Sequence, residues 1–166
     1  MKRRFLKRVG ILVSALVLAA PVLGYNHALA RDYAEMFEPA TGAATGKNLQ
    51  FMKAEKFVAA VRQGEKITAV DVRTPGETRI YGTSLPGTLQ IQISELFRPE
   101  NLDRLPEDGK IVVLCKSGTR ASAAVAGLRH IGFENTYLLK GGFKALVSYL
   151  GAKEANAPMG PKAAAR

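Results

Sequence analysis

Three short apolar runs, each set between segments of helical pattern, constrain this chain more than any other feature. Ile67-Thr68-Ala69-Val70-Asp71-Val72, Ile111-Val112-Val113-Leu114 and Thr136-Tyr137-Leu138-Leu139 are rich in β-branched and large apolar residues and short, so they read as buried strands. Around them, residues 53–62 carry Phe57, Val58 and Val61 at helical spacing with Gly64 as a stop, and an Ala-rich helix follows Arg120 and closes at Gly132-Phe133. Gly141-Gly142 permits a tight bend into a further helix over residues 143–150. Residues 93–97 and 101–105 read as short helical turns, with Pro106-Glu107-Asp108-Gly109 as a turn before the second strand. Strands that alternate with helices imply an α/β fold: a mostly parallel central sheet with helices on both faces.

The chemistry is expected where the second strand meets its helix, at Cys115-Lys116-Ser117-Gly118-Thr119-Arg120. Backbone N–H groups of such a turn, with the positive end of the helix dipole behind them, form a concavity that favours thiolate over thiol. Lys116 and Arg120 add two cations, suited to a lowered cysteine pKa and an anionic substrate. The competing reading is a small apolar residue at a strand end. The flanking Lys, Ser-Gly and Arg favour a reactive thiol over it.

Cys-Lys-Ser-Gly-Thr-Arg-Ala-Ser resembles the active-site loop of single-domain rhodaneses, thiosulfate sulfurtransferases whose loop reads Cys-Arg-Ser-Gly-x-Arg-Ser. Two further stretches match in the family's order: Asp71-Val72-Arg73-Thr74-Pro75-Gly76-Glu77 with Leu85-Pro86-Gly87 upstream, and Leu139-Lys140-Gly141-Gly142-Phe143 downstream. The resemblance spans residues 49–150 and implies a rhodanese-like fold. It implies Cys115 as the catalytic nucleophile, with Lys116, Ser117, Gly118, Thr119 and Arg120 binding the substrate. For Arg73 and Glu77 it implies a structural role, as an ion-pair network with Asp71 that fixes the loop. Asp71 itself stays open, because polar residues at the carboxyl end of a strand in an open α/β sheet also approach ligand sites. The chain departs from the family at Gly82-Thr83-Ser84-Leu85-Pro86-Gly87-Thr88, where Thr83 stands in place of a His and about two residues are added after Glu77. Leu146 stands where the family often has Trp, an apolar exchange that costs packing rather than chemistry.

The ends of the chain are expected to lie outside this domain. Lys2, Arg3, Arg4, Lys7 and Arg8 precede an almost wholly apolar run over residues 9–24, and Ala28-Leu29-Ala30 offers a small-residue cleavage site, the form of a secretory signal peptide over residues 1–30. A membrane anchor is the competing reading, but Pro21 interrupts the run and it is short for a span of ~20 residues. Lys2-Arg3-Arg4-Phe5 resembles a disturbed twin-arginine motif, while the strongly apolar core suits the general secretory route. Either route leads to the periplasm in a bacterium with two membranes. Residues 31–48, with Pro39 and the Thr41 to Gly46 run of Gly, Ala and Thr, are expected as a flexible lead-in, and residues 151–166 as a disordered tail.

Charge and cysteine usage narrow the function classes. Residues 1–30 hold five of the 24 basic residues and none of the 14 acidic ones, so the formal charge falls from +10 to +5 without them. That balance needs no nucleic-acid partner, and no aromatic-basic interleaving of the kind single-strand binders use is present. One cysteine in the chain excludes an internal disulfide and a cysteine-based metal site. His27 goes with the signal and His130 stands alone at a helix end, so no metal and no cofactor is expected.

The expected reaction is sulfur transfer from a small anionic donor such as thiosulfate to cyanide or a thiol through a Cys115 persulfide, with a periplasmic protein as a further partner and no membrane contact after signal removal. A Cys-dependent phosphatase or arsenate reductase is the rival enzyme. Its cradle has the spacing Cys-x5-Arg, whereas Cys115 and Arg120 are spaced Cys-x4-Arg, a tighter ring of amides suited to a sulfur atom. The third class is an exported sulfur-carrier or binding module with little turnover, which the Thr83 loop keeps open.

Overall fold

The computed structural model describes residues 24–156 apart from Ser84 and Pro86. In chain order the described elements are α1 (His27–Phe37), a 3-10 turn (Gly42–Ala44), α2 (Thr45–Asn48), β1 (Phe51–Met52), α3 (Ala54–Arg62), β2 (Ile67–Asp71), α4 (Pro75–Ile80) and β3 (Leu89–Gln90). There follow α5 (Ile93–Leu96), α6 (Pro99–Leu102), β4 (Lys110–Leu114), α7 (Thr119–His130), β5 (Thr136–Leu139), α8 (Gly142–Tyr149) and α9 (Ala152–Ala155). The five strands form one sheet in the order β1-β5-β4-β2-β3, and every pairing is parallel.

The α/β expectation therefore holds, with the three strands read from the sequence forming the sheet's centre. Their burial explains their composition, since a parallel strand covered on both faces has no polar side to alternate with. On one face Val70, Ile111, Val113 and Leu138 pack with Ala121, Ala124, Val125 and Leu128 of α7 and with Leu96 of α5. On the other, Ala69, Val112, Leu114 and Leu139 pack with Phe57 and Val58 of α3 and Leu146 of α8. The small residues along α7 let it lie close on the sheet, and Leu146 is almost fully buried where a Trp was the alternative.

Four stretches differ from expectation. Residues 31–48 carry regular structure: Asn26 caps α1 by accepting from the Ala28 and Leu29 amides at 3.0 and 3.1 Å, and Tyr33 stacks on His130 of α7 with ring centroids 4.6 Å apart. Of the tail expected to be disordered, residues 152–155 form α9, held by Glu154 accepting from Arg62 Nη1 at 2.9 Å; residues 157–166 lie outside the described residues. The loop after β2 contains α4, whose capping box, with Thr74 and Glu77 bonding each other's backbone N–H, is visible in Thr-Pro-Gly-Glu. The two edge strands β1 and β3 have two residues each, too few for a periodic signal. The basic head and most of the apolar run of the expected signal lie outside the described residues, while Ala28-Leu29-Ala30 lies within α1. No described helix is long and apolar enough to cross a membrane.

Candidate active site

The parallel order brings the ends of β2, β4 and β5 together at the carboxyl edge of the sheet, the edge where open α/β sheets bind ligands. Cys115 follows β4 directly and is 1 % exposed. The chain then turns through Lys116 and Ser117 to Gly118, whose φ of 106° lies in a region that only glycine enters without strain, and α7 begins at Thr119. That turn folds the backbone around the sulfur. The Gly118 N–H donates to Cys115 Sγ at 3.2 Å. Burial pushes the thiol up, but the N–H groups of Ala121, Ser117, Gly118 and Arg120 together outweigh it, so its pKa lies below the ordinary value.

The loop after β5 closes the other side. Phe143 N–H donates to the Cys115 carbonyl at 2.7 Å and Lys144 N–H to the Lys116 carbonyl at 3.0 Å, so the start of α8 is tied to the cysteine turn. Gly142 allows the approach. A Cβ there would lie 2.3 Å from the Cys115 carbonyl oxygen and 2.9 Å from the Gly118 nitrogen.

The charged residues sort into two pairs rather than one network. Asp71 and Arg73 form a buried ion pair: Arg73 Nε donates to Oδ1 at 2.9 Å and Nη2 to Oδ2 at 2.6 Å, and the guanidinium lies 3.8 Å from the Phe143 ring centre. The Asp71 carboxylate is taken up by Arg73 in the buried frame beneath the loop. Glu77 pairs instead with Arg120, whose Nη1 and Nη2 donate to its two carboxylate oxygens at 2.8 and 2.7 Å. The Arg120 guanidinium and the Thr74 backbone N–H hold the Glu77 carboxyl at about 2, and Glu77 in turn raises the Arg120 pKa. The Arg120 guanidinium thus forms a bidentate pair that clamps α4 to the start of α7, and it also faces the Cys115 side chain.

Lys116 and Ser117 are exposed at the loop surface and Thr119 opens α7. Thr83 is half-buried and its hydroxyl has no hydrogen-bond partner among the described residues. His130 stands in the last turn of α7, stacked on Tyr33, and no cluster of metal-ligating side chains occurs among the described residues. The sequence reading did not foresee that Glu77 and Arg120 are partners. Separated by 43 positions, they give no local signal of pairing.

Residues 53–149 match the family model described as a rhodanese-like domain. A curated relative, the probable adenylyltransferase/sulfurtransferase MoeZ of Mycobacterium tuberculosis, is 35% identical over 82 residues, covering 49% of this chain and 20% of that protein. The chain thus spans about a fifth of that relative's length. A sulfurtransferase of Allochromatium vinosum is 33% identical over 81 residues, covering 49% of this chain and 72% of that protein. Among solved structures, the rhodanese-related protein of Thermoplasma volcanium superposes with a TM-score of 0.51 at 28% identity, covering 60% of this chain and 92% of the other.

Proposed function

Because the chain belongs to the rhodanese family, with a matched domain that holds Cys115, its amide ring and both ion pairs, we propose that it is a sulfurtransferase working through a Cys115 persulfide. The observation that carries this reading is the single buried sulfur encircled by N–H donors, which favours an anionic sulfur at that point both before and after it accepts a second sulfur atom. The Cys115 thiolate attacks the outer sulfur of a donor such as thiosulfate, the donor's S–S bond breaks, and sulfite leaves with the electron pair. Cyanide or a thiolate then attacks the outer sulfur of the persulfide, and Cys115 leaves as thiolate.

The amide ring that lowers the Cys115 pKa favours the thiolate, so the reaction calls for no neighbouring general base. Exposed Lys116 draws the dianionic donor to the loop, while Arg120, held by Glu77, positions the helix start that supplies two of the amides. The basic head and apolar run before α1 support export and a periplasmic location, with the leader removed after Ala30.

The test is the intact mass of the protein after incubation with thiosulfate, beside Cys115→Ser. A gain of one sulfur, ~32 Da, that cyanide or a thiol removes and that the variant lacks is the expected result for an activated thiolate. No adduct on a reduced Cys115 would refute thiosulfate as donor. Loading without onward transfer to cyanide or any thiol would favour the carrier-module reading.

A further inference from the structure

At the ends of β1 and β5, against α3 and α8, lies a cleft of about 500 Å³ lined by Lys53, Ala54, Glu55, Lys140, Ala145 and Tyr149, among others. Its two lysines follow β1 and β5 directly. Lys140 N–H donates to the Met52 carbonyl at 2.8 Å, and the register pairs Met52 with Leu139, so Lys53 and Lys140 end neighbouring strands side by side. The same register pairs Val113 with Leu138, which sets Cys115 beside Lys140. Lys53, Lys140 and Cys115 therefore stand in a row across three adjacent strand ends. With strands ~4.8 Å apart, Lys53 is about 10 Å from the cysteine along that row.

Lys144, tied by its N–H to the Lys116 carbonyl, extends the basic edge. Lys53, Lys116, Lys140 and Lys144 are all exposed, and none takes part in an ion pair among the described residues, whereas the nearby Arg73 and Arg120 are both neutralised by carboxylates. Glu55, in the first turn of α3, is the one carboxylate on the cleft wall.

A small dianion bound within the amide ring lies next to Lys140 but does not by itself span the row from Cys115 past Lys140 to Lys53. A ligand that engages both lysines and Cys115 must extend about 10 Å from the reacting sulfur, which is roughly three residues of extended chain. It must also be slender at the reacting end, since Cys115 is 1 % exposed. Resting on the sulfur-transfer reading above, we propose that the sulfur acceptor is an acidic, extended peptide segment of a partner protein, with carboxylates about three residues from its thiol seated on Lys53 and Lys140. Its thiolate attacks the outer sulfur of the Cys115 persulfide, the S–S bond breaks, the electron pair returns to Cys115 as thiolate, and the partner leaves carrying the persulfide. No outside oxidant or reductant enters.

The experiment uses the full chain and ten-residue peptides with a central cysteine, flanked three residues away by Glu or by Gln. With thiosulfate-loaded protein, the Glu peptide is expected to accept sulfur about tenfold faster than the Gln peptide at low salt, and the gap should close at high salt, as for exposed charge pairs. Lys53→Glu with Lys140→Glu should abolish the preference while loading by thiosulfate stays unchanged, and Lys53→Gln with Lys140→Gln should fall between. Equal rates for the two peptides, or a preference that survives the double reversal, would overturn the proposal. A second measurement needs no donor: anisotropy of the same peptides, labelled and with Ser for Cys, on unloaded protein. Tighter binding of the Glu peptide that the double reversal removes supports the docking site even if thiosulfate proves not to load Cys115. Equal binding refutes it.

Discussion

Replacing Gly142 by Ala tests how closely the reactive turn and the α8 start must meet. Gly64 supplies the control, because both glycines have left-handed backbone, φ 59° at Gly142 and 73° at Gly64, but a Cβ on Gly64 meets nothing within 4 Å. Gly64→Ala therefore reads the conformational cost alone, ~1 kcal/mol. At Gly142 the same cost is joined by contacts of 2.3 Å to the Cys115 carbonyl oxygen, 2.9 Å to the Gly118 nitrogen and 3.0 Å to the Lys116 carbonyl carbon. All three are backbone atoms of the cysteine turn, so no side chain can swing aside. Overpacking of this kind adds ~1–3 kcal/mol, for a total of roughly 3 kcal/mol at Gly142. Urea unfolding of both variants measures the difference. Because the Gly118 N–H is a donor to Sγ, Gly142→Ala should also slow alkylation of Cys115 near neutral pH, whereas Gly64→Ala should not. A Gly142→Ala variant no less stable than Gly64→Ala, with unchanged thiol reactivity, would refute the close packing of these two loops.

Other consequences follow from the charged groups. Alkylation of Cys115 should rise with pH through a midpoint below the ordinary thiol range, because the amide ring outweighs burial; a midpoint at or above that range would contradict the ring's effect. Glu77→Gln keeps the cap on α4 but removes the charge facing Arg120. Since the folded Glu77 carboxyl is held at about 2 against an ordinary 4.5, its contribution is complete above pH 4.5 and lost as the pH falls through 2. The wild type should exceed Glu77→Gln by ~1 kcal/mol at neutral pH, the scale for a partly exposed bidentate pair, and in urea titrations the gap should narrow below pH 4.5 and vanish only below the folded value of about 2. Asp71→Asn leaves the 4 % exposed Arg73 without its counter-charge and should cost ~3–5 kcal/mol by the same assay.

What the sequence alone determined is local. The β-branched runs at 67–72, 111–114 and 136–139 announce buried strands because composition within a few residues decides that, and the Cys115 to Arg120 segment announces an anion cradle because glycine, strand end and helix start are neighbours in the chain. The capping box of α4 is equally local, since Thr74 and Glu77 are three residues apart. Only the tertiary structure decided who neutralises whom. Asp71 and Arg73 share a carboxylate and guanidinium two residues apart, but Arg120 could have paired with any of several acids, and its choice of Glu77 depends on β2 and β4 lying side by side. The two-residue strands β1 and β3 exist only as partners of β5 and β2. The row of Lys53, Lys140 and Cys115 has the same origin: residues far apart in the chain meet because parallel pairing aligns the strand ends, and no pattern along a single segment encodes that register.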